Sequence, residues 1–178
     1  GAPNGDLPGR IDAGIAYVVY GHSTPFVDID LKSFSTNTVG GFRIQGASGG
    51  DRTGISVSGG GDVNGDSVDD ILVGASSAAN VAGVVYVIFG STTQLPNVDL
   101  SITSSSSRYK IIGSAPGDNA GFSVSIAGDF NKDGIKDIIL GASMAAPVSR
   151  TNAGSAYVVF GKLSSSVDVS LYSMTPGA

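Results

Sequence analysis

Two short stretches of this chain set oxygen-bearing side chains at alternate positions. The first is Asp62-Val63-Asn64-Gly65-Asp66-Ser67-Val68-Asp69-Asp70. The second is Asp129-Phe130-Asn131-Lys132-Asp133-Gly134-Ile135-Lys136-Asp137. Counted from the first Asp, positions 1, 3, 5 and 9 carry carboxylate or amide oxygens in both, and position 7 is apolar with a backbone carbonyl to offer. Alternate residues of a tight loop point inward, so this spacing converges hard oxygen donors on one point. Such a donor set suits Ca²⁺, which takes about 6–8 oxygens at about 2.3–2.6 Å. The expected ligands are Asp62, Asn64, Asp66, the Val68 carbonyl and Asp70 at one site, and Asp129, Asn131, Asp133, the Ile135 carbonyl and Asp137 at the other. Three carboxylates gathered in one loop would repel one another without a cation.

Two other accounts of these stretches compete. An EF-hand loop opens the same way but ends on a Glu at position 12 between helices; position 12 here is Val73 or Leu140, inside an apolar run. The plainer account is that Asp, Asn and Gly merely build a turn. Recurrence of the whole pattern at equivalent places in the chain favours the cation. The two stretches differ at position 6, where the second has Gly134 and the first Ser67, preceded by Gly65.

The elements that would hold these loops are read from internal repetition. The segment beginning at Thr53, TGISVSGGGDVNGDSVDDILVGAS, matches AGFSVSIAGDFNKDGIKDIILGAS from Ala120 at an offset of 67. FRIQGASGGD from Phe42 matches YKIIGSAPGD from Tyr109 at the same offset. AGIAYVVYG, AGVVYVIFG and AGSAYVVFG place their second Gly at 14, 83 and 154, spaced by 69 and 71. A further element recurs as FVDIDL from 26, NVDLSI from 97 and SVDVSL from 166. One unit therefore holds four apolar segments, in the middle unit at 54–60, 69–75, 83–89 and 108–113. Each is rich in Val, Ile, Tyr or Phe and bounded by Gly, Asp or Asn, the signature of strands. The fold class is all-β, and four strands per unit is the count of a propeller blade. The loops then lie on a strand–loop–strand hairpin. The chain reads as two strands, then four, then three, an incomplete propeller of about two and a quarter blades, with connections at 22–41, 91–107 and 162–178.

Composition narrows the function. The net charge is −5, without the basic footprint that nucleic acid needs. There is no Lys/Arg cluster for a membrane surface and no apolar run near 18 residues, so membrane insertion is not expected. Cys is absent, which excludes a disulfide framework and a zinc–thiolate site.

The pattern GFSVSIAGDFNKDGIKDIILGAS followed by AGSAYVVFG resembles an FG-GAP repeat, as in integrin α-subunit propellers, and is closer still to tandem repeats of large exported bacterial proteins. The "FG" is Gly121-Phe122; in the earlier unit Thr53-Gly54-Ile55 lacks the aromatic. The "GAP" is Gly1-Ala2-Pro3, relaxed to Gly74-Ala75-Ser76 and Gly141-Ala142-Ser143. The resemblance implies FG-GAP β-propeller blades with a calcium loop between the first and second strands, and a secreted, extracellular or cell-surface setting. It divides the chain into the tail of a preceding blade at 1–41, a complete repeat at 42–107 and a second repeat at 108–178 lacking its last strand. Integrin ligand recognition does not carry over.

The expected function is a calcium-binding structural or adhesion module, not an enzyme. The alternatives are a self-assembling subunit of an extracellular ring or filament, and a lectin-like or protein-binding propeller. Expected partners are other FG-GAP blades of the same or neighbouring chains, with a protein or glycan ligand or a homo-oligomer as further options. His22, the only histidine, reads as a turn residue, so a His-dependent triad has little support. Tyr17, Tyr86 and Tyr157 occupy equivalent strand positions and are expected to pack between blades. The serine run at 104–107 reads as a solvated loop.

Overall fold

The computed structural model describes residues 1–21, 23, 28–34, 40–103, 105–147, 150–163 and 167–174. These hold eleven strands and only short 3₁₀ turns outside them: β1 (Ile15–Val19), β2 (Gly41–Gln45), β3 (Ser56–Gly61), β4 (Asp70–Ala75), β5 (Val84–Ile88), β6 (Val98–Asp99), β7 (Arg108–Ile112), β8 (Ala120–Gly128), β9 (Asp137–Ala142), β10 (Ser155–Val159) and β11 (Val169–Ser170). The complete blade is β3-β4-β5-β7, antiparallel throughout. Before it, β1 and β2 form the third and fourth strands of one blade, and Ala2 bridges to Ile15 where a second strand would end. After it, β8, β9 and β10 form the first three strands of another. The all-β blade architecture expected from the repeat is thus what the chain adopts.

Burial explains why these strands read as nearly continuous apolar runs. All five residues of β5 are buried. Side chains of a strand alternate between the two faces of its sheet, and here both faces are covered. Val85 and Val87 join Leu72, Ile111, Ile138 and Leu140 in one layer, between the complete blade and the one that follows. Val84, Tyr86 and Ile88 join Phe42, Ile44 and Val73 in a second, against the blade before. Tyr86 therefore packs between blades as expected, and burial pushes its hydroxyl pKa up to about 12. Tyr17 meets Phe34 edge-on, with ring centroids 5.3 Å apart.

The recurrent element in the connections is more than a linker. β6 pairs in parallel with β2 of the preceding blade, Val98 opposite Ile44 and Asp99 opposite Gln45. β11 does the same with β7, Val169 opposite Ile111 and Ser170 opposite Ile112. This corrects the alignment taken from sequence. Asn97 corresponds to Asp168, not to Ser166, because Asn97 Oδ1 accepts from Arg43 N at 2.8 Å and Asp168 Oδ1 from Lys110 N at 2.8 Å. Val and Ser each occur twice in SVDVSL, so the string alone admits either register; the hydrogen bonds decide it. Arg10 adds a clamp specific to the first of these docks. It makes a two-pronged ion pair with Asp99 at 2.8 and 2.9 Å and donates to the Gly46 carbonyl at 2.6 Å. Among the described residues no helix is long and apolar enough to cross a membrane. His22 and Ser104 lie outside the described residues; Ser105 and Ser107 share a hydroxyl hydrogen bond of 2.8 Å on the surface.

Candidate metal centre

Both acidic loops join the first strand of a blade to the second, 62–69 between β3 and β4 and 129–136 between β8 and β9. In each hairpin the register shifts just before the loop, between Gly59 and Gly61 and between Ile126 and Gly128. A bulge of this kind re-aims the chain as it leaves the ladder. Within the loops, positions 4 and 6 are left-handed in both copies: Gly65 at φ 79° and Ser67 at 67°, Lys132 at 62° and Gly134 at 91°. Each loop thus has one glycine where the backbone asks for it and one residue held against its preference. The glycines have exchanged places, which is why the sequences differ while the backbone does not.

The polar contacts repeat as closely. The position-1 carboxylate curls under the loop: Asp62 Oδ1 accepts from Asp66 N at 3.2 Å and Oδ2 from Ser67 N at 2.7 Å, matched by Asp129 with Asp133 N at 3.1 Å and Gly134 N at 2.9 Å. Asp62 Oδ1 also takes the N–H groups of Asn64 and Gly65, at 3.1 and 2.6 Å. The position-3 amide joins position 5, Asn64 Nδ2 to Asp66 Oδ2 at 2.9 Å and Asn131 Nδ2 to Asp133 Oδ2 at 2.7 Å. The position-5 carboxylates accept from Val68 N at 2.8 Å and Ile135 N at 2.9 Å, leaving the carbonyls of those residues for another role.

Position 9 does something the sequence did not announce. Asp70 and Asp137 are fully buried. Asp70 accepts from Val63 N and Gly90 N, both at 2.8 Å, and Asp137 from Phe130 N at 2.6 Å and Gly161 N at 3.0 Å. Each therefore ties the loop to the end of the blade's third strand. The glycine closing AGVVYVIFG and AGSAYVVFG was the available signal, since a Cβ on Gly90 would stand 2.2 Å from the Asp69 carbonyl oxygen.

Electrostatics separate the carboxylates of the first loop. Burial pushes Asp62 up, but the N–H groups of Ser67, Gly65, Asn64 and Asp66 outweigh it and hold its pKa below the ordinary carboxylate value. Asp70 is raised, chiefly by burial, against the pull of Gly90 and Val63 N–H and with the charges of Asp66 and Asp62 adding to the rise. The donors offered are carboxylate, amide and carbonyl oxygens, the chemistry of a hard cation rather than a soft one. Among the described residues, no three acidic side chains are gathered into a ready cage. The carboxylates lie instead on backbone N–H groups: Asp62 Oδ1 accepts three of them, while Asp62 Oδ2 accepts one and keeps a lone pair. The donor set fits calcium.

The loops are also joined to each other. Asp62 O accepts from Lys136 N at 2.9 Å, and Val63 O from Lys162 N at 3.1 Å. The first loop is thereby roofed by the next blade, and among the described residues the second has no such cover.

A family model for the FG-GAP repeat matches residues 53–88 and 120–159, each span enclosing the first three strands of a blade and its acidic loop. The chain carries FG-GAP repeats. Over 155 residues it is 32% identical to phosphatidylinositol-glycan-specific phospholipase D of Bos taurus, covering 82% of this chain and 16% of that protein. The Homo sapiens protein of the same name is 34% identical over 104 residues, covering 56% of this chain and 12% of that protein. The chain thus spans about a sixth or less of the curated relatives it matches.

Proposed function

We propose that this chain is a calcium-binding structural or adhesion module, in which Ca²⁺ rigidifies the first hairpin of each blade. The observation that carries the proposal is the duplication: the same oxygens at positions 1, 3, 5, 7 and 9, on the same bulged hairpin, with most of their hydrogen bonds shared, in loops that differ at every position between them. The proposed ligands are Asp62, Asn64, Asp66, Val68 O and Asp70, and Asp129, Asn131, Asp133, Ile135 O and Asp137. An extracellular or cell-surface location follows from this reading, because weak calcium sites stay filled at the millimolar concentrations found there. The module is non-catalytic on this proposal; the carboxylates of the two loops are committed to loop architecture. The phospholipase activity named for the relatives then belongs to the larger part of those proteins outside the match.

The test is a thermal melt of the chain with and without about 1 mM CaCl₂, with a chelator control. Binding to the folded state alone raises the melting temperature, and Asp66→Ala together with Asp133→Ala removes the rise. A melt indifferent to calcium up to about 5 mM would sink the proposal and leave the loops as turns.

One observation favours a second reading, self-assembly. Phe130 and Phe160 are 59 and 54% exposed on the last blade, while their counterparts Val63 and Phe89 in the complete blade are buried beneath the blade that follows. A second copy could cover that face; sedimentation of the chain over a range of concentrations tests it, and a monomer throughout removes it.

A further inference from the structure

The two parallel docks described above share a design. A side-chain oxygen (Asn97 or Asp168) caps the N–H of the basic residue in a fourth strand (Arg43 or Lys110), at 2.8 Å in both. Two residues then pair in parallel with that strand. A leucine follows and enters the layer between blades: Leu100 is 2% exposed and Leu171 0%. The strand that receives them has the pattern aromatic–basic–Ile: Phe42-Arg43-Ile44 or Tyr109-Lys110-Ile111.

The segment 28–31, Asp28-Ile29-Asp30-Leu31, repeats the donor half of this design after β1. It is already shaped for the task. Asp30 is extended at φ −83° and ψ 109°, its Oδ1 accepts from Lys32 N at 2.9 Å, and its carbonyl accepts from Ser33 N at 3.2 Å. The docked segment has the same turn: Asp99 Oδ1 accepts from Ser101 N at 3.0 Å and Asp99 O from Ile102 N at 3.3 Å. Yet Leu31 is 45% exposed and Asp28 is exposed, with no hydrogen bond to its carboxylate among the described residues.

We propose that segment 28–31 is a strand donor that docks in parallel on the fourth strand of a further FG-GAP blade, recognising the pattern aromatic–basic–Ile. Asp28 caps the N–H of the basic residue, Ile29 and Asp30 pair with the strand, and Leu31 fills the layer beside it. The proposal commits to that partner because both docks within this chain use it, and because the preformed turn at Asp30 lowers the ordering cost of docking. It stands independently of calcium.

The test is a titration of the ¹⁵N-labelled chain with a synthetic peptide of residues 106–115, which contains the β7 strand. The expected result is saturable shifts of the amides of 28–33. Burial of one leucine side chain makes Leu31→Asp weaken those shifts about tenfold or more, and Asp28→Ala weakens them by a smaller factor. Leu31 is exposed in the free chain, so the variant keeps the parent spectrum elsewhere. No shift at 28–33, shifts confined to the open edge of β10, or shifts equal in the parent and Leu31→Asp would each overturn the proposal.

Discussion

The backbone N–H of Lys136 donates to the carbonyl oxygen of Asp62 at 2.9 Å, so the second acidic loop holds the first residue of the first. Neighbouring blades are therefore bonded through their loops as well as through their apolar layers. Val63, one residue on, is 1% exposed under this roof, whereas Phe130 at the same loop position is 59% exposed.

Positions 5 and 9 of the loops should separate ligation from architecture. Asp66→Ala and Asp133→Ala should abolish the calcium-dependent rise in melting temperature while changing the calcium-free melt little. Asp70→Asn puts an amide against the two N–H groups of Val63 and Gly90. It should cost about 1–3 kcal/mol without any calcium present. Urea unfolding in chelator measures both; equal behaviour of the two classes would show that position 9 is not a latch.

Ser67 and Lys132 sit at φ 67° and 62°, in the left-handed region. Ser67→Gly and Lys132→Gly relieve that backbone, and each should stabilise the chain by up to about 1 kcal/mol. The urea midpoint should rise with an unchanged slope.

Gly83 lies at φ 85°, and a Cβ there would stand 2.1 Å from the Ala120 carbonyl oxygen of the next blade. Its counterpart Gly154, at φ 75°, has nothing nearer than 3.4 Å. Gly83→Ala should therefore cost more than about 3 kcal/mol through clash and left-handed strain together, and Gly154→Ala only the strain, about 1–2 kcal/mol. Melting temperatures of the two variants check the asymmetry.

Arg10, by its side-chain hydrogen bond, holds the Asp99 carboxyl well below the usual carboxylate range. The folded pKa is below the unfolded value of about 3.9, so the stabilisation is present above that pH and is lost as pH falls through the folded value. Asp99→Asn should lower stability at neutral pH by about 1 kcal/mol, as expected of a two-pronged but partly exposed pair. It should also flatten the acid limb of the stability profile. An unchanged acid limb would remove the pair from that role.

The repeat and its strands were legible in the sequence, because each strand's pattern is local: β-branched and aromatic residues between Gly, Asp and Asn. The predicted segments 69–75, 83–89 and 108–113 differ from β4, β5 and β7 by a residue at their ends. The loop positions were legible for the same reason, since an alternation of oxygens needs no distant partner to be seen. The exchange of glycines between positions 4 and 6 was only half legible: Gly65 and Gly134 stood out, but that Ser67 and Lys132 share their conformation is a property of the folded backbone.

What only the tertiary structure decided is which copies of a repeated residue acquire a partner. Asp70 and Asp137 read in the sequence as oxygen donors at the end of a loop; that they also latch the loop in place is due to Gly90 and Gly161, which arrive beside them from about twenty residues away. The connection strings looked like linkers, and their register was settled by Arg43 and Lys110 in strands of another blade. Leu31 and Leu100 are the same residue in the same motif, one 45% and the other 2% exposed. Local sequence sets a strand's shape and the spacing of its side chains. Burial depends on what a distant part of the fold brings against them, and no window of sequence contains that.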